Sequence, residues 1–258
     1  MNAIDHRFEL LRQQGRKALM PYLTLGYPAL GSALDVVPAL VAAGADVLEL
    51  GIPFSDPMAD GPVIQASSQR AIDNGMTLTL ALEQLHSLQA SRELPPVVLM
   101  TYTNLLFNHG LEAFATQAAA AGAAGVIVPD LPLEESTELR QTLAAHGLHL
   151  IQMVTPNLDD ARIAAIARVA SGFIYVVSVL GVTGARAEAP DVQALAARVR
   201  RHTALPLALG FGISSPEQAR AALHHVDGVI VGSALIRSLG HADTAAEDAH
   251  RFLKAFSQ

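Results

Sequence analysis

The chain has 258 residues, a net charge of −7 at neutral pH, 51% hydrophobic and 16% charged residues, and no cysteine or tryptophan. Disorder needs fewer apolar and more charged residues, and a disulfide scaffold or thiolate-ligated metal needs cysteine. The acidic balance argues against a nucleic-acid or anionic-membrane surface, and the length suits one (β/α)8 barrel of ~250 residues or two small domains.

From the N-terminus, the first residues carry Asp5, His6, Arg7 and Glu9 and show no apolar signal segment. Short β-rich apolar runs then recur at Ala18–Thr24, Asp46–Leu50, Pro96–Thr101, Gly125–Val128, Leu148–Val154, Phe173–Ser178, Pro206–Leu209 and Asp227–Val231. Near-continuous apolar strands fit a parallel sheet covered on both faces.

Between them lies helix grammar. Ser32 with Asp35 three residues on resembles a capping box; Leu34, Val37 and Val41 share a helical face, Pro38 should bend that helix, and Gly44 should end it. Asn157, Asp159 and Asp160 open another helix, with Ile163 and Ile166 as its stripe. Ser214–Ser215–Pro216–Glu217 opens a third, with proline in the first turn. The uncharged stretch Val169–Ala185 contains Gly172, Gly181 and Gly184, so it reads as a buried strand and a glycine loop, not a membrane helix. Eight alternations without a linker predict an α/β fold, a single (β/α)8 TIM barrel with extra helices over residues 1–258, soluble and cytoplasmic.

In this barrel class the active site lies at the C-terminal ends of the strands. After the second strand comes Leu48-Glu49-Leu50-Gly51-Ile52-Pro53-Phe54-Ser55-Asp56-Pro57-Met58-Ala59-Asp60-Gly61-Pro62. Alternation turns Glu49 away from Leu48 and Leu50. A carboxylate in a barrel mouth is partly desolvated and suited to proton transfer, and a Pro/Gly-rich loop can return Asp60 to the same pocket. The competing reading makes Glu49 a structural ion pair and Asp60 turn punctuation. Glycine turns follow the sixth, seventh and eighth strands: Gly181-Val182-Thr183-Gly184, Gly210-Phe211-Gly212 and Gly232-Ser233. They expose backbone N–H groups to a phosphate, or merely turn strand into helix. Gly210-Phe211-Gly212 lacks the third glycine of a dinucleotide fingerprint.

The only lysines, Lys17 and Lys254, are far from strand ends, so Schiff-base catalysis is disfavoured. The ten histidines are scattered without metal-ligand spacing, and no Gly-x-Ser-x-Gly elbow occurs. Carboxylate acid–base chemistry on a small phosphorylated substrate remains.

The run Leu48–Pro57 with Ala59–Pro62 resembles the signature of the tryptophan synthase alpha chain family. The resemblance continues through Tyr102–Asn104, Val128-Pro129-Asp130-Leu131-Pro132, Gly181–Gly184 and Gly210–Ile213, in order and at the expected spacing. It implies retro-aldol cleavage of indole-3-glycerol phosphate to indole and glyceraldehyde 3-phosphate, the ring itself holding the electrons once C3 is protonated. By the same resemblance Glu49 is the general acid–base, Asp60 accepts the ring N–H, and Tyr175 supports Glu49. Tyr22, Ile64, Met100, Ile127 and Phe211 wall the indole site, and backbone around Gly184, Gly212, Gly232 and Ser233 binds phosphate. Thr183 belongs to the loop that closes over substrate.

The family pattern implies no metal and no cofactor in this chain; pyridoxal phosphate resides in a beta chain, which condenses indole with serine. That partner, expected in an alpha2beta2 heterotetramer, would be met by Pro53, Asp56 and the region of Asn104. The chain departs from the common pattern at Tyr22 (Phe is frequent), Leu25 (Ala), Leu105 (Pro) and Val179 (Arg in some members). Two other readings share the motifs: a free-standing indole-3-glycerol-phosphate lyase, and a non-catalytic phosphate-binding barrel that regulates a partner.

Overall fold

The structure is a computed structural model and describes residues 1–177, 192–210 and 212–256. Its strands are β1 (Ala18–Thr24), β2 (Leu48–Gly51), β3 (Val97–Met100), β4 (Ala123–Ile127), β5 (His149–Val154), β6 (Ile174–Val177), β7 (Leu207–Gly210) and β8 (Gly228–Val231). All neighbours pair in parallel and β8 returns to β1, so the sheet closes into a barrel. Every strand matches an apolar run predicted from the sequence. The match follows from burial on both faces: β1, β2, β3, β6, β7 and β8 are buried at every residue.

The register sets the interior layers. Tyr22 stands opposite Glu49, Met100 opposite Ile127, Met153 opposite Tyr175, and Tyr175 opposite Ala208. Because successive side chains alternate, Glu49 faces the barrel interior while Leu48 and Leu50 pack outward.

Helices α1 (Ala3–Gln13), α2 (Ala33–Ala42), α3 (Pro62–Asp73), α4 (Leu78–Ser91), α5 (Thr103–His109), α6 (Leu111–Ala120) and α7 (Thr137–Ala145) surround the first half. Helices α8 (Asp160–Val169), α9 (Val192–Arg200), α10 (Pro216–Leu223), α11 (Ser233–Ser238) and α12 (Ala245–Phe256) surround the second. Two predicted starts form as expected. The Asp159 carboxylate accepts the Arg162 N–H at 2.7 Å. Ser215 and Gln218 form a reciprocal capping box with Pro216 at the first position.

The predicted box at Ser32 does not form. Ser32 has helical φ −57° and ψ −29°, and its hydroxyl accepts the Ala29 N–H at 3.1 Å. A preceding turn thus holds the side chain that an N-cap in extended conformation would aim at the helix. The buried stripe of α2 is Ala33, Val36, Val37 and Leu40, whereas Leu34 is 43% exposed, because α2 packs against α12 one residue out of phase with the expected face. Gly44 follows the helix at φ +104°, where a side chain would be strained.

Helix α1 closes the N-terminal end of the barrel. Asn2 caps it by accepting the Ile4 N–H, and its amide donates to the Ala124 and Gly147 carbonyls, each at 2.8 Å. Arg7 donates to the Asp46 carbonyl at 2.9 Å, and His149 lies 3.0 Å from Asp5. Ile4, Phe8 and Leu11 are buried, with Phe8 against Phe173 at 5.8 Å. Each such side chain contributes about 1.5–3 kcal/mol of burial. With this end sealed, the opposite mouth is left for chemistry.

Candidate active site

Glu49, on β2, is 1% exposed, and among the described residues its Oε2 has no hydrogen-bond partner. Asp60 lies beyond the Pro53–Pro57 loop, immediately before the Gly61 cap of α3, and is 5% exposed. Its N–H bonds the Pro57 carbonyl at 2.9 Å, while its carboxylate accepts the Tyr102 hydroxyl at 2.8 Å. Tyr102 is in turn stacked on Phe54 at 5.2 Å. Asp60 is therefore both a turn residue and a buried carboxylate held across the mouth from the end of β3.

No arginine, lysine or histidine among the described residues forms an ion pair with Glu49 or Asp60. Among the described residues, therefore, nothing supports the structural ion-pair reading of Glu49. Burial, reinforced by the negative charge of Asp60, pushes the Glu49 carboxyl up to about 8. Burial also raises Asp60, against the opposing effect of the Tyr102 hydrogen bond, to about 6. The Tyr22 and Tyr175 phenols are driven well above their ordinary range, first by burial and then by the nearby carboxylates.

Both carboxylates line one cavity of about 240 Å³. Tyr22, Ile64, Met100 and Tyr175 form its apolar wall; Gly212, Gly232 and Ser233 stand at its other end. All nine were predicted. Ile127 is fully buried beside Met100 and is not among the lining residues, since a covered side chain has no surface to offer the cavity. Thr183, Gly184 and Phe211 lie outside the described residues. Of the expected partner-facing residues, Asp56 and Asn104 are exposed, but Pro53 is already buried within this chain.

Sequence reasoning gave no role to Tyr102, which reaches the site through Asp60, or to Arg237. Tyr102 sits just past the end of β3, where alternation no longer predicts direction, and only its contact with Asp60 reveals it. Arg237 lines the cavity beside Gly232 and Ser233. The Ser233 to Arg237 spacing, one turn along α11, places both on the same helical side and was the available signal.

Tyr22 and Tyr175 are seated by two missing side chains. A Cβ at Gly51 would lie 2.1 Å from the Tyr22 hydroxyl, and one at Gly210 would lie 2.1 Å from the Tyr175 hydroxyl. Glycine at these strand ends thus admits the aromatic rings that flank the carboxylates.

A family model described as tryptophan synthase alpha chain matches residues 8–258. The chain belongs to that family. It is 51% identical over 240 residues to the tryptophan synthase alpha chain of Chloroflexus aurantiacus, covering 93% of this chain and 90% of that protein. It is 47% identical over 256 residues to that of Nitratidesulfovibrio vulgaris, covering 99% and 98%. Among solved structures, tryptophan synthase subunit alpha from Legionella pneumophila superposes with a TM-score of 0.91 at 35% identity, over 99% of this chain and 97% of that one. A chain of tryptophan synthase from Mycobacterium tuberculosis, in its aminoacrylate-bound form, superposes at 0.89 with 30% identity, over 100% and 98%.

Membership makes the chain a lyase of tryptophan biosynthesis, the subunit that cleaves indole-3-glycerol phosphate to indole and glyceraldehyde 3-phosphate. The family also implies a beta-chain partner. Among the described residues no group of three or more His, Asp or Glu side chains is placed to hold a metal, and no helix is long and apolar enough to cross a membrane.

Proposed function

We propose that Glu49 and Asp60 perform the cleavage in the cavity they share. The observation that carries this is their common burial with unequal acidity, about 8 against about 6. Near pH 7 Glu49 then holds a proton while Asp60 is mostly charged, so one site offers an acid and an anion together.

Glu49 gives its proton to indole C3. The ring becomes cationic, with charge reaching the ring nitrogen, whose N–H faces the Asp60 carboxylate. The carboxylate stabilises that charge more strongly in a dry site than in water. The bond from C3 to the glycerol carbon then breaks and its electron pair returns to the ring, giving neutral indole. The hydroxyl on the departing carbon becomes the aldehyde carbonyl, and its proton passes to the Glu49 carboxylate, restoring the acid.

In this reading Tyr22, Ile64, Met100 and Tyr175 hold the ring, and Ile127 supports Met100 from behind. Backbone N–H groups around Gly212, Gly232 and Ser233 take the phosphate, with Arg237 adding a positive charge. Thr183, Gly184 and Phe211 keep the roles that the family pattern gives them. The whole chain, 1–258, works in the cytoplasm as one domain and carries no cofactor of its own. Its partner is a pyridoxal-phosphate beta chain in an alpha2beta2 assembly. The docking face is the rim bearing Asp56 and Asn104, where Met58 and Phe107 expose 81% and 57% of their surface.

The test is glyceraldehyde 3-phosphate formation by the pure chain, with and without a beta chain. Glu49→Gln is expected to lose at least about a hundred-fold in kcat while still binding substrate, the scale of one acid–base group. Asp60→Asn is expected to lose less, because an amide oxygen still accepts the N–H without its charge. Near-normal turnover by Glu49→Gln would refute the mechanism. Strong turnover without a beta chain would favour a free-standing lyase.

A further inference from the structure

Tyr22 reaches beyond the wall it forms. Its hydroxyl lies 3.2 Å from Thr24 Oγ1, Thr24 Oγ1 lies 2.7 Å from Ser67 Oγ, and Ser67 donates to the Ile64 carbonyl at 2.8 Å. Tyr22, Thr24 and Ser67 are 6%, 0% and 1% exposed, so these groups must satisfy one another.

Each hydroxyl owns a single hydrogen. That of Ser67 goes to Ile64, so the Thr24–Ser67 bond uses the hydrogen of Thr24. The Tyr22–Thr24 bond then uses the hydrogen of Tyr22. The direction is fixed: Tyr22 donates to Thr24, Thr24 to Ser67, and Ser67 to the backbone of α3.

The relay ends one turn after Asp60. In that turn Gln65 donates its side-chain amide to the Asp60 carbonyl at 2.9 Å and its N–H to the Gly61 carbonyl at 3.0 Å. Asp60 and the start of α3 are therefore one hydrogen-bonded unit, and the relay ties that unit to β1. Tyr102 holds the carboxylate of the same residue from the β3 side.

We propose that Tyr22 is a positioning residue for the lyase reaction: through Thr24 and Ser67 its hydroxyl fixes the first turn of α3 and hence the Asp60 carboxylate over the cavity. The proposal rests on the reading of this cavity as the lyase site. It assigns a function to an oxygen that a phenylalanine at this position would lack.

The experiment compares Tyr22→Phe, Thr24→Val, the double variant and Thr24→Ser, each in complex with a beta chain. It reads kcat and KM for glyceraldehyde 3-phosphate formation, and amide hydrogen exchange over residues 61–68. Tyr22→Phe is expected to lower kcat about three- to ten-fold, the range of one net hydrogen bond, with KM changed less than about two-fold. Exchange over 61–68 should quicken. The double variant should match Thr24→Val alone, since Thr24 carries the relay. Thr24→Ser keeps the hydroxyl and should stay near the parent.

Unchanged kcat and exchange in Tyr22→Phe would overturn the proposal, as would a change in KM alone, which marks a wall residue. Losses that multiply in the double variant would also overturn it. If Thr24→Val does not fold, Tyr22→Phe decides by the same readouts. If the parent chain fails to cleave substrate, the lyase reading falls, and exchange alone still judges the relay: quickened supports it, unchanged refutes it.

Discussion

Two carboxylates in one cavity differ because their neighbours differ. Glu49 has burial and a like charge acting on it in the same direction, whereas Asp60 has the Tyr102 hydroxyl working against its burial. Activity that needs Asp60 ionised and Glu49 protonated should follow a bell in kcat/KM, with apparent limbs near about 6 and about 8 that belong to the pair. Tyr102→Phe removes the bond that favours the charged form of Asp60. The acid limb should therefore move upward and the bell narrow, which a pH profile of kcat/KM measures. An acid limb that stays in place would show that Tyr102 does not tune Asp60. The sequence marks Glu49 and Asp60 as candidates through strand alternation and a returning loop. It does not reveal Tyr102 as the hydrogen-bond partner of Asp60, because a phenol just past a strand end has no periodicity to declare its aim.

At the scale of elements, β2 and β7 each end in a glycine that makes room for a tyrosine of the preceding strand. Gly210→Ala would place a methyl 2.1 Å from the Tyr175 hydroxyl and 2.3 Å from its ring carbons. Ring and strand would have to shift, costing about 1–3 kcal/mol by overpacking. The expected result is a lower denaturation midpoint together with a large loss of kcat/KM. An alanine variant of full stability and activity would show that Tyr175 can sit elsewhere. Strands were legible because both their faces are buried, so composition alone marks them. Helix starts were legible where a side chain caps its own helix, as at Asp159 and Ser215. At Ser32 the same residue type serves the preceding turn, and local sequence does not choose between those hydrogen bonds.

For the whole molecule, the site is a liability in stability. The Glu49 carboxyl rises from 4.5 to about 8 and that of Asp60 from 3.8 to about 6 on folding. Between those limits the folded chain binds more protons than the unfolded one, so stability is greatest below about 4 as far as these groups are concerned and falls as pH rises. The loss from Asp60 is complete above about 6 and that from Glu49 above about 8. Glu49→Gln removes the larger part. Its stability relative to the parent should grow between pH 5 and 8.5, by an amount on the order of a few kcal/mol, read from urea unfolding at several pH values. A difference that is flat with pH would contradict the raised pKa of Glu49.

The ring formed by β1 to β8 has a last consequence, for the nascent chain. Synthesis delivers β1 first, yet one side of that strand pairs with β8, whose residues Gly228–Val231 follow some two hundred residues later. Helix α1 likewise needs the Ala124 and Gly147 carbonyls before it can dock. Until β8 is made, an apolar strand therefore keeps an open edge that other chains could join. Closing the ring with β8 is what ends that exposure.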